Sequence, residues 1–140
     1  MTTAPRITGL LETSLYVADL NRSAAFYQRV LGLPRLLDTP RLIALDAGQR
    51  GVLLLFQAGA TSEDTHDPGG TIPGHEGTGR LHMAFAIPAE DLQGWRDRLA
   101  AEDVALTGEM TWARGGVSLY LADPDGHVIE LATPGLWPTY

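Results

Sequence analysis

The 140-residue chain contains no cysteine. That removes disulfides, thiolate metal sites and a cysteine nucleophile together. It has no long apolar run either: the strongest, Val52 to Phe56, is far too short to cross a bilayer. The opening MTTAPRITGL lacks the apolar core that a secretory signal needs, so a cytoplasmic protein with no membrane partner is expected. An excess of positive charge is missing as well. The formal net charge is −7, which argues against an electrostatic grip on nucleic acid or on an anionic membrane. An anionic small molecule is not excluded, because a few local cations can bind one on an acidic protein.

What is present is a globular composition, 44% hydrophobic and 19% charged. The length suits one domain over residues 1–140. A domain near this size buries roughly 70% of its unfolded surface, enough for a real core.

The chain reads twice. LLETSLYVADL runs into NRSAAFYQRVLGL, and GRLHMAFAIPA runs into EDLQGWRDRLAAEDVAL. Each is an alternating strand followed by an amphipathic helix, and the copies are offset by about 70 residues. The first copy is expected over about 8–58 and the second over about 80–134, with a tail at 135–140. Residues 59–79 are rich in Gly, Thr, Pro and acids and have no apolar period, so a linker or lid is expected there. Its histidines, His66 and His75, are read as solvated loop residues unless the segment closes on a site.

Within the first copy, alternation over Gly9 to Ala18 puts Leu11, Thr13, Leu15 and Val17 on one face. Glu12, Ser14, Tyr16 and Ala18 fall on the other. Asp19 is a good N-cap, Leu20, Ala24, Tyr27 and Leu31 follow helical spacing, and Gly32 can close the helix. LPRLLDT, RLIALDA and GVLLLFQA read as strands, with AGQRG as a hairpin turn. In the second copy, strands are expected at about Leu81 to Ile87, Ala105 to Thr111, Val117 to Ala122 and His127 to Thr133. Leu92, Trp95 and Leu99 form the helix stripe, and Asp123 to Gly126 is a tight turn. The fold class is therefore α+β: two βαβββ modules forming a cupped mixed sheet.

Glu12, His82 and Glu130 each lie mid-strand among small or apolar neighbours, on the face away from the helices. A charged group there must find a partner or shift its pKa. If the faces curve together, two carboxylates and an imidazole converge, and a divalent cation relieves the repulsion between the acids. Oxygen and imidazole donors suit Fe, Mn, Ni, Co or Zn, and three protein ligands leave positions open for substrate. Two other readings remain open on the residues alone. Glu12 can sit at an exposed edge, and His82 with Glu130 can form a hydrogen-bonded pair without metal.

Longer motifs add a resemblance. LYVADLNRSAAFYQRVLGL resembles the opening of the vicinal oxygen chelate superfamily, GRLHMAFAIPAEDLQGWRDRL resembles its second repeat, and SLYLADPDGHVIELATP is similar to its terminal signature. Together they cover nearly the whole chain. That superfamily includes glyoxalase I, extradiol ring-cleaving dioxygenases, fosfomycin-resistance transferases, methylmalonyl epimerase and metal-free bleomycin-binding proteins. The resemblance implies the glyoxalase/bleomycin resistance/dioxygenase fold, one divalent metal ion per site and a homodimer. By it His82 and Glu130 match metal ligands. Glu12 stands where the family usually has His or Gln, and the position of a fourth, carboxylate ligand in glyoxalase I falls at about Leu54.

Around that metal, Tyr120 is a candidate acid beside Glu12 as candidate base. Tyr16, Trp112, Arg114 and Ser118 are candidate substrate contacts: Trp112 as an apolar wall, Arg114 as a carboxylate or phosphate clamp, Ser118 and Tyr16 by their faces. The expected function is a metal-dependent enzyme of isomerase, lyase or ring-cleaving type acting on a small oxygenated molecule. The alternative is metal-free sequestration of a small molecule or antibiotic in the same cup.

Overall fold

The computed structural model describes residues 3–140. The first half runs β1 (Glu12–Val17), α1 (Leu20–Leu31), β2 (Arg35–Asp38), β3 (Leu42–Gly48) and β4 (Gly51–Gln57). The second half runs β7 (His82–Ala86), α2 (Leu92–Ala101), β8 (Gly108–Thr111), β9 (Val117–Ala122) and β10 (Val128–Ala132). Between them, β5 (Thr65–Asp67) and β6 (Gly70–Ile72) form a small hairpin.

The duplication is a topological fact. One sheet has the order β1-β4-β3-β2 and the other β7-β10-β9-β8. In each, the first strand pairs in parallel with the last, and the remaining pairs are antiparallel. Register carries the correspondence to single residues. Glu12 lies opposite Val52 as His82 lies opposite Val128, and Ser14 opposite Leu54 as Ala84 opposite Glu130.

Local signals explain the first helix. The Asp19 carboxylate accepts from the Arg22 N–H at 3.0 Å, and Gly32 ends the helix at φ 72°. Leu20, Ala24, Tyr27 and Leu31 are all buried, as their spacing requires. The hairpin turn between β3 and β4 places Gln49 and Arg50 at positive φ, 48° and 66°. This is a mirror-image turn that normally favours Asn and Gly.

Strand ends differ from the sequence reading by a few residues, and Leu11 differs in environment. It precedes β1 and is 65% exposed, so only Leu15 and Val17 of its expected face reach the core. The linker also differs. Expected only as a linker or lid, it carries the β5–β6 hairpin, whose short strands are too polar for hydrophobic periodicity to show.

One core serves both halves. Leu15, Val17, Leu53 and Leu55 join Leu119, Leu121, Ile129 and Leu131 in a single cluster of buried residues. Polar clasps reinforce it. The Tyr27 hydroxyl donates to Asp123 at 2.7 Å, and burial next to that carboxylate pushes the phenol far above its ordinary pKa. His127 donates from Nε2 to the Tyr16 carbonyl at 2.9 Å and accepts the Leu81 N–H at Nδ1. Arg98 of α2 donates to the Val30 and Arg29 carbonyls at the C-terminal end of α1, where a cation complements the helix dipole. With their helix-side faces sharing this core, the sheets turn their other faces outward. Among the described residues, no helix is long and apolar enough to cross a membrane.

Candidate metal and substrate site

Glu130 and Asp123 are the two buried acids among the described residues. Glu130 sits in β10, only 4% exposed, directly opposite Tyr120 of β9. One carboxylate oxygen, Oε2, accepts from Ser118 Oγ at 2.5 Å, and Ser118 Oγ accepts from Trp112 Nε1 at 2.8 Å. The other, Oε1, lies 3.2 Å from His82 Nε2. His82 is oriented from behind: its Nδ1–H donates to the Val128 carbonyl at 3.0 Å.

That last bond has a chemical consequence. A carbonyl only accepts, so Nδ1 carries the proton and a neutral His82 offers a lone pair at Nε2. The lone pair faces a carboxylate oxygen, which is also an electron-pair donor. Either a proton or a cation must lie between them. The 3.2 Å separation falls between the spans expected of two neighbouring donors each about 2.1 Å from one ion, at right-angle and tetrahedral geometry. The backing carbonyl and the Ser118–Trp112 chain are the kind of outer support that orients metal ligands. His82 and Glu130 therefore fit a divalent ion, with half of the His82 side chain open to its approach.

Glu12 lies elsewhere. It is exposed, and it borders a seam of about 160 Å³ between residues 10–13 and Met83 to Ala86. It also closes one end of a trough of about 870 Å³ on the outer face of the first sheet. Neither cavity takes in His82 or Glu130. Among the described residues, no group of three His, Asp or Glu in the single chain is placed to hold a metal ion.

The other candidates separate into two groups. Tyr120 is beside the pair, its ring 6.3 Å from that of His82. Burial and the neighbouring Glu130 charge hold its phenol above the ordinary value, so without further positive charge it keeps its proton. Ser118 shares the Glu130 face, as alternation predicts, but it has no exposed surface. Its hydroxyl is used between Trp112 and Glu130, so it holds the carboxylate and does not reach outward. Trp112 is half-buried and its indole N–H serves the same chain. Arg114 is exposed in the turn between β8 and β9, which closes as the Trp112 N–H donates to the Gly116 carbonyl and the Gly115 N–H to the Trp112 carbonyl. Tyr16 lines the trough with Glu12.

Two functional-looking residues escaped the sequence reading. His75, expected as a solvated loop residue, is half-buried, and its Nδ1 is hydrogen-bonded to the Tyr16 hydroxyl at 2.7 Å. No local signal marks a loop histidine whose partner lies 59 positions away. His127 was read only as the start of the last strand, yet it is buried and joins the two halves. His66 does stay exposed, hydrogen-bonded to Thr71 within the hairpin.

Comparison with known proteins agrees with this architecture. The family model described as Glyoxalase/Bleomycin resistance protein/Dioxygenase superfamily matches residues 9–131. The metallothiol transferase FosB of Staphylococcus epidermidis is 32% identical over 128 residues, covering 91% of this chain and 82% of that protein. The catechol-2,3-dioxygenase of Bacillus subtilis is 29% identical over 133 residues, covering 94% of this chain but 43% of the dioxygenase. Among solved structures, a lactoylglutathione lyase from Agrobacterium tumefaciens superposes with a TM-score of 0.86 at 31% identity, covering 96% of this chain and 99% of that one.

Proposed function

Because the chain belongs to the glyoxalase/bleomycin resistance protein/dioxygenase superfamily, we propose that it is a divalent-metal-dependent enzyme acting on a small molecule with adjacent oxygens. The single observation that carries this reading is the His82 Nε2 to Glu130 Oε1 approach, with both groups held from behind. The third ligand is Glu12, supplied by a second copy of the chain. Supporting this is the placement of Glu12 on a trough that includes neither other ligand, although its strand lies at a sheet edge beside β7.

His82, Glu130 and the partner's Glu12 hold the ion. A bound ion of this class acts as a Lewis acid on two neighbouring substrate oxygens. Everything else is the chain's own work. Ser118 and Trp112 keep the Glu130 carboxylate from rotating. Tyr120, beside the pair, presents its hydroxyl toward a ligand on that face. Two carboxylates in one set favour hard, oxygen-preferring ions over softer ones. Chains named as a transferase, a dioxygenase and a lyase are similar to this one, so the framework does not select among those reactions.

Ion content measured on protein purified without chelator tests the reading. One ion per chain is expected, lost in both His82→Ala and Glu130→Ala. Mixing Glu12→Ala with Glu130→Ala protein and re-forming the dimers then locates Glu12. If ligands come from two copies, the mixed dimer regains one intact site. Metal binding that survives His82→Ala unchanged would sink the proposal; wild-type protein that takes up no ion would favour the alternative, a trough that holds its ligand without metal.

A further inference from the structure

The trough on the first sheet has an order that the metal reading does not use. Register arranges its floor in three cross-strand rows. Glu12 and Val52 form one end, Ser14, Leu54 and Ala44 the middle, and Tyr16, Phe56 and Leu42 the far end. From Glu12 to Tyr16 is four residues of strand, about 13 Å at ~3.3 Å each. Polarity therefore runs from a carboxylate, through a floor of Leu54 and Ala44 with one hydroxyl at Ser14, to an aromatic cluster with hydrogen-bonding tips.

The far end is built tightly. Phe56 stacks on Tyr16 with centroids 6.0 Å apart, and His75 meets the Phe56 edge at 4.7 Å. The His75 backbone is pinned on both sides: its N–H donates to the Thr61 carbonyl at 2.7 Å, and Thr61 Oγ donates to the His75 carbonyl at 2.6 Å. Gly77 lies against the Tyr16 ring so closely that a Cβ there would stand 2.7 Å from Cδ2. The 59–79 segment thus clamps the Tyr16 ring, with its hydroxyl on His75. Arg41 is the only Arg or Lys among the described lining residues, and its guanidinium already donates to Thr65. A doubly charged phosphate or phosphonate normally demands more cationic donors than that.

We propose that this trough selects a flat, apolar, aryl-type substrate whose end remote from the metal carries a hydroxyl or carbonyl oxygen, bound by the Tyr16–His75 pair. The proposal rests on the reading above for which end faces the metal. A ring fits the spacing beside Phe56, and a single polar anchor at the end of an apolar channel fixes its direction. The Tyr16–His75 pair discriminates because a ligand without that oxygen leaves both groups less well hydrogen-bonded.

The test uses metal-free full-length protein, so that it stands apart from the ion measurements. p-Cresol, 4-methylanisole and methylphosphonate are titrated while the His75 imidazole signals are followed by NMR. p-Cresol is expected to give a saturable His75 shift and to bind roughly fivefold more tightly than 4-methylanisole, the range of one net hydrogen bond. That preference should vanish in Tyr16→Phe and His75→Ala and return in part in His75→Gln. Gly77→Ala should weaken both aryl probes by displacing the Tyr16 ring. Should His75→Ala fail to fold, Tyr16→Phe reads the same ratio. Absence of a saturable shift with either aryl probe overturns the proposal, as does methylphosphonate binding as tightly as p-cresol. Cresol binding in a protein that never takes up metal would leave the trough assignment standing and remove the metal reading alone.

Discussion

The two modules have the same strand order and the same register, yet their outer faces are near opposites. In the second, the middle row holds Ala84, Glu130 and Tyr120; in the first, the matching positions are Ser14, Leu54 and Ala44. The end row is Ala86, Ala132 and Ser118 in the second and Tyr16, Phe56 and Leu42 in the first. One module therefore offers a polar floor edged by small residues, the other an apolar wall with rings at one end. The core-facing positions did not diverge in this way: Leu53 and Leu55 match Ile129 and Leu131, all essentially fully buried. Burial in a shared core admits only well-packed apolar side chains, while the open faces are free to specialise.

The sharpest way to break that comparison is in the core. Leu55→Ala and Leu131→Ala should each cost about 2–5 kcal/mol. Because the core is continuous, urea unfolding should remain one transition in both variants. A second transition in either one would show that the modules are separable.

Next in size is the clasp between them. Tyr27→Phe leaves the buried Asp123 carboxylate short of a donor and should cost about 1–3 kcal/mol. The pH dependence follows from the raised Tyr27 pKa. Its contribution is fully present below the unfolded phenol value near 10. It fades as pH rises above that value toward the folded one, because only the unfolded chain then loses the proton. Stability measured above pH 10 should fall more steeply in the wild type than in Tyr27→Phe, by up to ~1.4 kcal/mol per pH unit. Equal slopes would contradict the buried bond.

Smaller still is the support behind Glu130, for which the first module has no counterpart. Ser118→Ala frees one carboxylate oxygen and should weaken metal affinity roughly tenfold or more. Leu42→Ala, at the matching position of the first module, should leave metal affinity unchanged. The least effect is expected at the turn where Gln49 and Arg50 carry positive φ. Replacing them by Asn and Gly should stabilise by about 0.5–1 kcal/mol in thermal melts, without touching either face.

Much of this was legible in advance for a stated reason. Asp19, Gly32 and the 20-24-27-31 stripe act within one helix, where neighbours in sequence are neighbours in space. The alternation that set Glu12, Ser14 and Tyr16 on one face, and Ser118, Tyr120 and Glu130 on another, is likewise local to a strand. The reading failed where partners are far apart. His75 reaches Tyr16 across 59 positions and His127 reaches it across 111. Ser118 looked like a ligand contact because alternation gives its face but not its depth.

Sequence alone was enough to establish the duplication, the α+β class, the two ends of α1 and the membership implied by the terminal DPDGH and its following glutamate. These are encoded in periodicity and short-range chemistry. Only the folded chain decided that Glu130 is buried and braced, that His82 turns a lone pair toward it, and that Glu12 opens onto a trough that takes in neither of them. Those facts depend on which outward faces remain once the inward ones have closed on a common core, and no spacing along a single strand contains that information.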